Sequence, residues 1–202
     1  MRPFSQSTLN LQKVAGVASA SSALTFEELS KILISGITHS DSQIEPGDLF
    51  IAMPGANRHG AEFAQSAIEK GAVAVLTDQE GAALVKGVPV LVVKDPRQAA
   101  GLIAALFYNE PMRDLNCIGI TGTNGKTTVT TLLHQIFEAA HRDCGLIGTV
   151  ETRIGNEAIA SQRTTPEATD LQSLAAVMRE RHMRHLVLEA SSHAIALHRL
   201  EG

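Results

Sequence analysis

The sequence contains no tryptophan and only one tyrosine, and aromatic residues make up 3% of its 202 residues. Proteins that hold single-stranded nucleic acid by stacking its bases depend on aromatic side chains. The formal net charge of −4 gives no long-range attraction for a phosphate backbone, and lysine and arginine form no stripe along the chain. These absences argue against a nucleic-acid partner.

Cysteine is also scarce, because Cys117 and Cys144 are the only two. They are too far apart for a zinc site and form no Cys-x-x-Cys pair. Each opens or lies in a predicted strand, so we expect both to be buried, reduced thiols. The eight histidines show no metal-binding spacing, and we expect most of them at the surface.

Long apolar runs are absent as well. No run approaches the roughly 20 residues that a membrane-spanning helix needs. The Ser-rich stretch Met1 to Leu24 lacks the continuous apolar region of a secretory signal, and its weak periodicity predicts little order. We therefore expect a cytoplasmic protein without membrane insertion. Its 44% hydrophobic content suffices for one sizeable core or two small ones.

Residues 118–128, with the sequence IGITGTNGKTT, have the pattern of a phosphate-binding loop. The three glycines Gly119, Gly122 and Gly125 let the backbone turn tightly and bring bare N–H groups close to an anion. An apolar strand-like run precedes the loop, and apolar residues at helical spacing follow it. A strand before the loop and a helix after it are the context that makes such a match specific.

Two side chains at the end of this loop carry the chemistry. Lys126 is placed to reach the terminal phosphates of a nucleotide, and the hydroxyl of Thr127 is placed to coordinate a phosphate-bound Mg²⁺. The general pattern has glycine six residues before the lysine, where this sequence has Ile120. The alternative is a purely structural glycine turn followed by a surface lysine.

Strands and helices alternate along the rest of the chain, which predicts an α/β protein. The order indicates a small amino-terminal α/β domain over 1–112, followed by an incomplete doubly wound phosphate-loop domain over 113–202. The predicted helices start at Thr25 (through Leu33), Ala61, Pro96, Lys126 and Glu167. The predicted strands are Leu49–Met53, Ala72–Leu76, Val88–Val93, Asn116–Thr121, Gly145–Val150 and His185–Glu189, with a hairpin that turns at Gly155-Asn156.

Polar residues follow the last predicted strands. Glu189 ends an apolar strand at the edge where open α/β sheets bind ligands, so it is either a Mg²⁺ ligand or a strand-ending surface carboxylate. Ser191 and its small polar neighbours favour a site. Thr164 and Thr165 precede a predicted helix and are able to hold an anionic substrate.

These motifs together resemble the ATP-dependent Mur ligases of peptidoglycan synthesis, and in particular the tripeptide synthetases of that family. The resemblance rests on TGTNGKTT at 121–128, RTTPE at 163–167, EASSHAIALHR at 189–199 and the uridine-domain segment SDSQIEPGDLFIA at 40–52. It covers nearly everything from Gly36 onward.

The resemblance implies a ligase that uses ATP and Mg²⁺ to join a diamino acid, meso-diaminopimelate or L-lysine, to UDP-N-acetylmuramoyl-L-alanyl-D-glutamate through an acyl phosphate. By resemblance, the ATP-binding residues are Gly122, Thr123, Asn124, Gly125, Lys126, Thr127 and Thr128, with Thr127 and Glu189 on Mg²⁺ and Lys126 and Glu189 as catalytic residues. The same resemblance implies substrate-binding roles for Ser42, Asn57, Arg58, Thr164, Thr165, Ser191 and Arg199.

The chain departs from the family pattern at Gln43, Arg163 and Leu197, where Arg, Asn and Gln respectively are common. The carbamylated lysine, the second metal-binding histidine and the domain that selects the amino acid are not in these 202 residues. We therefore expect a monomeric amino-terminal fragment that binds its ligands but is catalytically incomplete. The alternatives are a free-standing nucleotide-binding or regulatory module, another Mur-type ligase, and a phosphate-loop kinase.

Overall fold

Residues 1–5 and 7–202 are described by a computed structural model, in which the chain divides into two units. The amino-terminal unit is Ser5–Phe107, and the carboxy-terminal unit combines Met1–Phe4 with Tyr108–Gly202. Each has its own sheet, which confirms the α/β class. The boundary expected between residues 112 and 113 stays a prediction. No helix in the described part of the chain has the length and hydropathy to cross a membrane.

The amino-terminal unit contains a parallel sheet of four strands in the order β3-β4-β5-β6 and a two-stranded antiparallel ribbon, β1-β2. In chain order its elements are β1 (Leu9–Asn10), α1 (Leu11–Ala18), α2 (Phe26–Ser30), β2 (Leu33–Ile34), β3 (Gly36–Thr38), β4 (Asp48–Ile51), α3 (Ala64–Glu69), β5 (Ala74–Thr77), α4 (Gln79–Ala82), β6 (Val90–Val92) and α5 (Pro96–Phe107). Short 3-10 turns lie at Asp41–Gln43 and Gly60–Phe63.

The central strands of this sheet are buried along their whole length. Every residue of β4 and β5 is buried, as expected for parallel strands that are covered on both faces. Phe50 and Val75 pack with Ala64 and Ala67 of α3 in one core cluster. The alternation of apolar runs in the sequence therefore located these strands and helices to within a few residues.

The expectation of little order before Thr25 is wrong for the described residues, while Gln6 lies outside them. The side chain of Asn10 accepts the backbone N–H of Lys13 and caps α1. Leu11 and Val14 have no exposed surface. The helix has only two turns, so its stability comes from this burial rather than from a long periodic pattern.

The capping box at Thr25 and Glu28 is confirmed, but α2 ends at Ser30 and Leu33 belongs to a strand. The short elements β3 and α4 were not predicted at all. Both are three or four residues long, which is too short to show a period.

The carboxy-terminal unit is built on a five-stranded sheet in the order β10-β9-β8-β11-β7. Its elements are β7 (Asn116–Ile120), α6 (Lys126–Ala139), β8 (Cys144–Ile147), β9 (Glu151–Ile154), β10 (Glu157–Ala160), α7 (Ala168–Glu180), β11 (His185–Glu189) and α8 (Ser192–Ala196), after a 3-10 turn at Pro111–Asp114. β11 pairs in parallel with both β7 and β8, while β9 and β10 form the predicted antiparallel hairpin.

The two faces of β11 explain why it is apolar throughout. On one side Leu186 and Leu188 pack with Met178 of α7, and on the other Val187 packs with Leu146 and the half-buried Leu133 of α6. The strand is therefore fixed between two helices, and its end at Glu189 is placed beside the end of β7.

The two cysteines have different environments. Cys144 is buried, and this burial raises the pKa of its thiol to about 11. Cys117 is exposed, so the expectation that both are buried is wrong for Cys117. The reason is that Cys117 lies on β7, the edge strand of the described sheet. Among the histidines, His134 is buried, with its Nε2 3.1 Å from the carbonyl oxygen of Cys144.

Candidate phosphate and peptide site

The phosphate loop connects the end of β7 to the start of α6. Gly122 and Gly125 have positive φ values of 148° and 80°, which an L side chain adopts only with strain. Gly119, the first glycine of the motif in chain order, instead lies inside β7. The interpretation of Gly119 as a turn glycine is therefore wrong, because the strand continues through it to Ile120.

The loop places Lys126 and Thr127 in the first turn of α6. In the free chain the Nζ of Lys126 donates to the carbonyl oxygen of Gly122 at 2.7 Å, so the lysine spans the loop. Thr123, Asn124 and Thr128 are exposed around it. A helix N-terminus with free N–H groups and a lysine bent over the preceding loop is suited to a polyphosphate.

Glu189 is the carboxylate of this site. It is the last residue of β11, lies opposite Ile120 in register and is 1% exposed. The hydroxyl of Thr127 donates to its Oε2 at 3.1 Å, and the backbone N–H of Thr149 donates to its Oε1 at 2.8 Å. Burial of a carboxylate costs free energy unless such donors satisfy it. Glu189 is therefore a positioned buried group, and the interpretation as a strand-ending surface residue is wrong.

Thr149 also belongs to this site, although it was not among the predicted site residues. It follows β8 and places its hydroxyl 3.1 Å from Oε2 of Glu189 and 3.1 Å from Oγ1 of Thr164. The available signal was positional, because β8 is parallel to β11 and their carboxyl ends meet at one edge of the sheet. No short motif marks a single threonine there.

Residues Thr164 and Thr165 reach the same edge from the segment between β10 and α7. Thr165 is buried, and its hydroxyl donates to the carbonyl oxygen of Glu189 at 2.7 Å and accepts the backbone N–H of Ser191 at 3.3 Å. Ser191 in turn caps α8 by accepting the N–H of Ala194. The structure thus brings Thr164, Thr165, Ser191 and Glu189 together at one edge of the sheet.

Arg199 lies behind these hydroxyls and is only 7% exposed. One of its terminal nitrogens is 3.0 Å from Oε1 of Glu167, and the other is 3.4 Å from the carbonyl oxygen of Thr165. Its Nε is buried without a hydrogen-bond partner. Arg163 contacts the same Oε1 of Glu167 at 3.0 Å from a more exposed position. Glu167, the counter-charge of Arg199, was not among the predicted site residues.

The site fits a Mg²⁺ ion that is shared with phosphate. Oγ1 of Thr127 and Oε2 of Glu189 are oxygen ligands of the kind that Mg²⁺ prefers, and they lie next to each other at the phosphate loop. Among residues 1–5 and 7–202, no group of three His, Cys, Asp or Glu side chains is placed to hold a metal. Phosphate oxygens and water would therefore have to complete the coordination.

The expected uridine-binding residues lie in the amino-terminal unit. Ser42 follows β3, while Asn57 and Arg58 follow β4, and these two strands are parallel neighbours. All three residues therefore lie beyond the same edge of their sheet, and all are exposed.

Two of these side chains already have protein contacts. Oγ of Ser42 is 2.8 Å from Oγ of Ser40. The guanidinium of Arg58 donates to Glu62 at 2.9 Å and lies over the ring of Phe63. Arg58 is thus held in place by its neighbours.

Of the remaining departures from the family pattern, Gln43 closes the 3-10 turn that contains Ser42, and Leu197 lies just after α8.

Comparison with known proteins gives matches over both units. The family model described as "Mur ligase family, catalytic domain" matches residues 33–108, and that described as "Mur ligase middle domain" matches residues 120–202. The first match includes the parallel sheet of the amino-terminal unit. The second includes the phosphate loop, Glu189 and Arg199 of the carboxy-terminal unit.

Two curated relatives are UDP-N-acetylmuramoyl-L-alanyl-D-glutamate–2,6-diaminopimelate ligases. The protein from Streptomyces avermitilis is 51% identical over 203 residues, which cover 100% of this chain and 39% of the relative. The protein from Streptomyces coelicolor is 55% identical over 171 residues, which cover 84% of this chain and 34% of the relative. The chain thus spans well under half the length of both.

A solved structure of a UDP-N-acetylmuramoyl-L-alanyl-D-glutamate–2,6-diaminopimelate ligase has the same fold over nearly the whole chain. The TM-score is 0.76 at 25% sequence identity, with 96% of this chain and 38% of the solved chain covered.

Proposed function

Because the chain belongs to the Mur ligase family, we propose that it carries the ATP site and the UDP-muramoyl-dipeptide site of a ligase that extends the peptide by one diamino acid. The observation that carries this proposal is that Thr127 and Thr149 both contact the buried carboxylate of Glu189, while Thr149 also contacts Thr164. This arrangement links the phosphate loop to a group of hydroxyls that lies next to the buried arginine Arg199.

In the proposed reaction, ATP transfers its terminal phosphoryl group to the terminal carboxylate of UDP-N-acetylmuramoyl-L-alanyl-D-glutamate, which releases ADP. The amine of the diamino acid then attacks the acyl phosphate, so that an amide forms and phosphate leaves. Phosphoryl transfer asks the protein mainly for positioning and for neutralisation of charge. The names of the two Streptomyces relatives favour 2,6-diaminopimelate over lysine as the diamino acid.

On the nucleotide side, the backbone from Gly122 to Thr128 would surround the phosphates. Lys126 would exchange its bond to Gly122 for a bond to a phosphate oxygen. Thr127 and Glu189 would hold Mg²⁺, which supplies neutralisation of the phosphate charge. The hydroxyl of Thr127 and the carboxylate of Glu189 are already within hydrogen-bond distance, so only a small rearrangement is needed.

On the peptide side, Thr164, Thr165, Ser191 and Arg199 would hold the anionic muramoyl-peptide. Arg199 supplies the positive charge, and its buried Nε has a donor to offer. Ser42, Asn57 and Arg58 of the amino-terminal unit would hold the uridine diphosphate end. ATP and UDP-linked sugars are cytoplasmic metabolites, so we propose a cytoplasmic location.

The proposal is tested by calorimetric titration of the chain with UDP-N-acetylmuramoyl-L-alanyl-D-glutamate and with a non-hydrolysable ATP analogue plus Mg²⁺. We expect both to bind, and UDP-N-acetylglucosamine, which lacks the peptide, to bind more weakly. Binding of the ATP analogue without any response to the UDP-muramoyl ligand would favour the nucleotide-binding module instead. A phosphate-release assay with a diamino acid should show little turnover, and robust turnover would refute the expectation of an incomplete catalyst.

The assignment of the phosphate loop is tested by Lys126→Ala. We expect the affinity for the Mg²⁺-bound ATP analogue to fall by roughly ten- to a hundredfold, since a hydrogen bond to a charged group contributes about 1.5–3 kcal/mol. The midpoint of denaturant unfolding should change little, because the contact of the Lys126 Nζ within the described part of the chain is to a carbonyl of its own loop. Lys13→Ala, at an exposed lysine of α1, is the matched control. Unchanged nucleotide affinity in Lys126→Ala would refute the role of this lysine.

A further inference from the structure

We propose that Thr149 is a positioning residue whose hydroxyl couples the nucleotide side of the site to the peptide side, an inference that rests on the function proposed above. The hydroxyl of Thr149 lies between two groups with different proposed ligands. Its Oγ1 is 3.1 Å from Oε2 of Glu189, on the metal side, and 3.1 Å from Oγ1 of Thr164, on the peptide side.

The geometry around Glu189 makes Oε2 the shared atom. The hydroxyls of Thr127 and Thr149 both lie 3.1 Å from Oε2, whereas Oε1 accepts the backbone N–H of Thr149 at 2.8 Å. The backbone contact holds the carboxylate in place whichever way the hydroxyls point. A cation at Oε2 would therefore change the hydroxyl contacts and leave the carboxylate where it is.

A hydroxyl has one hydrogen to donate, so Thr149 donates either to Oε2 of Glu189 or to Oγ1 of Thr164, and these are the two arrangements of its hydroxyl. In the first, Thr149 donates to Glu189, and the hydroxyl of Thr164 receives no hydrogen from it. In the second, Thr149 donates to Thr164, which polarises the hydroxyl of Thr164 and makes it a stronger donor to another acceptor. The two arrangements differ only in hydroxyl rotation.

A cation on Oγ1 of Thr127 and Oε2 of Glu189 favours the second arrangement, because it repels hydroxyl hydrogens that point at the same carboxylate oxygen. The hydroxyl of Thr164 then donates to an anionic group of the peptide ligand. Binding of the Mg²⁺-bound nucleotide thus strengthens binding of the UDP-muramoyl ligand. Because coupling between two binding sites is reciprocal, the UDP-muramoyl ligand strengthens nucleotide binding by the same factor.

Exposure of Thr149 in the free chain fits this role. Water competes for its hydroxyl while the site is open, so the chain of hydrogen bonds contributes little to folding. Bound ligands at Glu189 and Thr164 would cover the hydroxyl and remove that competition, which strengthens hydrogen bonds among the remaining groups. Substitution at Thr149 should therefore affect coupling more than stability.

The test measures the dissociation constant of UDP-N-acetylmuramoyl-L-alanyl-D-glutamate by calorimetry, with and without saturating Mg²⁺ and the ATP analogue AMP-PCP. For the wild-type chain we expect the dissociation constant without nucleotide to be roughly fivefold or more larger than that with nucleotide, and this ratio is the measure of coupling. Thr149→Val and Thr149→Ala remove the hydroxyl and keep the backbone N–H, and they should reduce the ratio to less than about twofold. Thr149→Ser restores the hydroxyl and should restore the ratio.

The matched control is Thr152→Val, which removes a nearby hydroxyl that lies 3.4 Å from Ser161 and has no link to Glu189 in the described contacts. It should keep the wild-type ratio. A wild-type ratio near one, or an unchanged ratio in Thr149→Val, would overturn the coupling role and leave the proposed function standing. A wild-type chain that fails to bind the UDP-muramoyl ligand in either condition would overturn the proposed function and this inference with it.

Discussion

At the scale of single residues, the site depends on charges that are buried beside their partners. Glu167 is the clearest case, because it is 5% exposed and contacts both the buried Arg199 and the more exposed Arg163 at 3.0 Å. A buried ion pair contributes little net stability, but removal of one partner leaves the other charge uncompensated. The side chain of Glu167 thus keeps Arg199 folded into the site.

We expect Glu167→Ala to lower the free energy of unfolding by about 3 kcal/mol, since Arg199 would remain buried without its carboxylate. Arg163→Ala is the matched control and should cost no more than about 1 kcal/mol, because Arg163 is solvent-exposed. Denaturant unfolding measures both. The Glu167→Ala, Arg199→Met double variant should be more stable than Glu167→Ala alone, and equal losses in the two single variants would contradict the assignment.

A second charged residue, Asp78, makes the stability of the amino-terminal unit depend on pH. Burial alone would raise the pKa of its carboxyl, but the N–H of Gly81 and the ring of His59 outweigh it and hold the pKa below the ordinary 3.8. Nδ1 of His59 accepts the N–H of Ala61, so the Nε2 that faces Asp78 carries the hydrogen.

Because the folded-state pKa of Asp78 is depressed, its contribution is complete above the unfolded-state pKa and is lost as pH falls through the folded-state value. We expect Asp78→Asn to lower the free energy of unfolding by about 1 kcal/mol at pH 7, the net value of a typical hydrogen bond. The difference between wild type and variant should begin to shrink as pH falls below 3.8 and should vanish once pH lies below the lower folded-state pKa. Denaturant unfolding over a pH series measures it, and a constant difference would contradict this linkage.

At the scale of elements, the chain shows what a sequence pattern can and cannot locate. β11 was predicted with its observed bounds, because an apolar strand buried on both faces leaves a continuous run in the sequence. The exposure of Cys117 could not be predicted from β7 itself, since position within a sheet depends on pairing between distant segments. Thr149 was missed for the same reason, because only the parallel register of β8 and β11 brings it to Glu189.

Close packing where β8 ends gives a prediction about Gly148. A Cβ at Gly148 would lie 2.8 Å from Oε1 of Glu189, so the carboxylate would have to move away from the N–H of Thr149. We expect Gly148→Ala to weaken binding of the Mg²⁺-bound ATP analogue by roughly tenfold, the equivalent of one charged hydrogen bond. A stability loss of about 1–3 kcal/mol should accompany it.

Gly119→Ala is the matched control, since a Cβ there would lie 3.9 Å from that of Ala190, an ordinary contact. It should change stability by no more than about 0.5 kcal/mol and leave nucleotide affinity unaltered. Calorimetric titration and denaturant unfolding of both variants separate the two positions. Normal nucleotide binding in Gly148→Ala would show that Glu189 does not need its present position.

At the scale of the whole molecule, each unit buries one sheet against helices, but the carboxy-terminal unit also exposes apolar surface. Val129, Leu132 and Ile136 of α6 are 42%, 53% and 62% exposed, and their spacing places them along one side of the helix. The edge strand β7 is exposed at several of its positions as well. An exposed strand edge and exposed apolar side chains both favour aggregation.

We therefore expect Leu132→Lys and Ile136→Lys to raise the solubility of the chain, measured by precipitation with polyethylene glycol. Their free energies of unfolding should stay within about 0.5 kcal/mol of the wild type, because these side chains already face solvent. Leu133→Lys is the matched control one position away, where the side chain packs against the cluster of Cys144, Leu146 and Val187. Leu133→Lys should lower the free energy of unfolding by about 2 kcal/mol or more. An equal loss of stability in Leu132→Lys would mean that this side of α6 is packed rather than exposed.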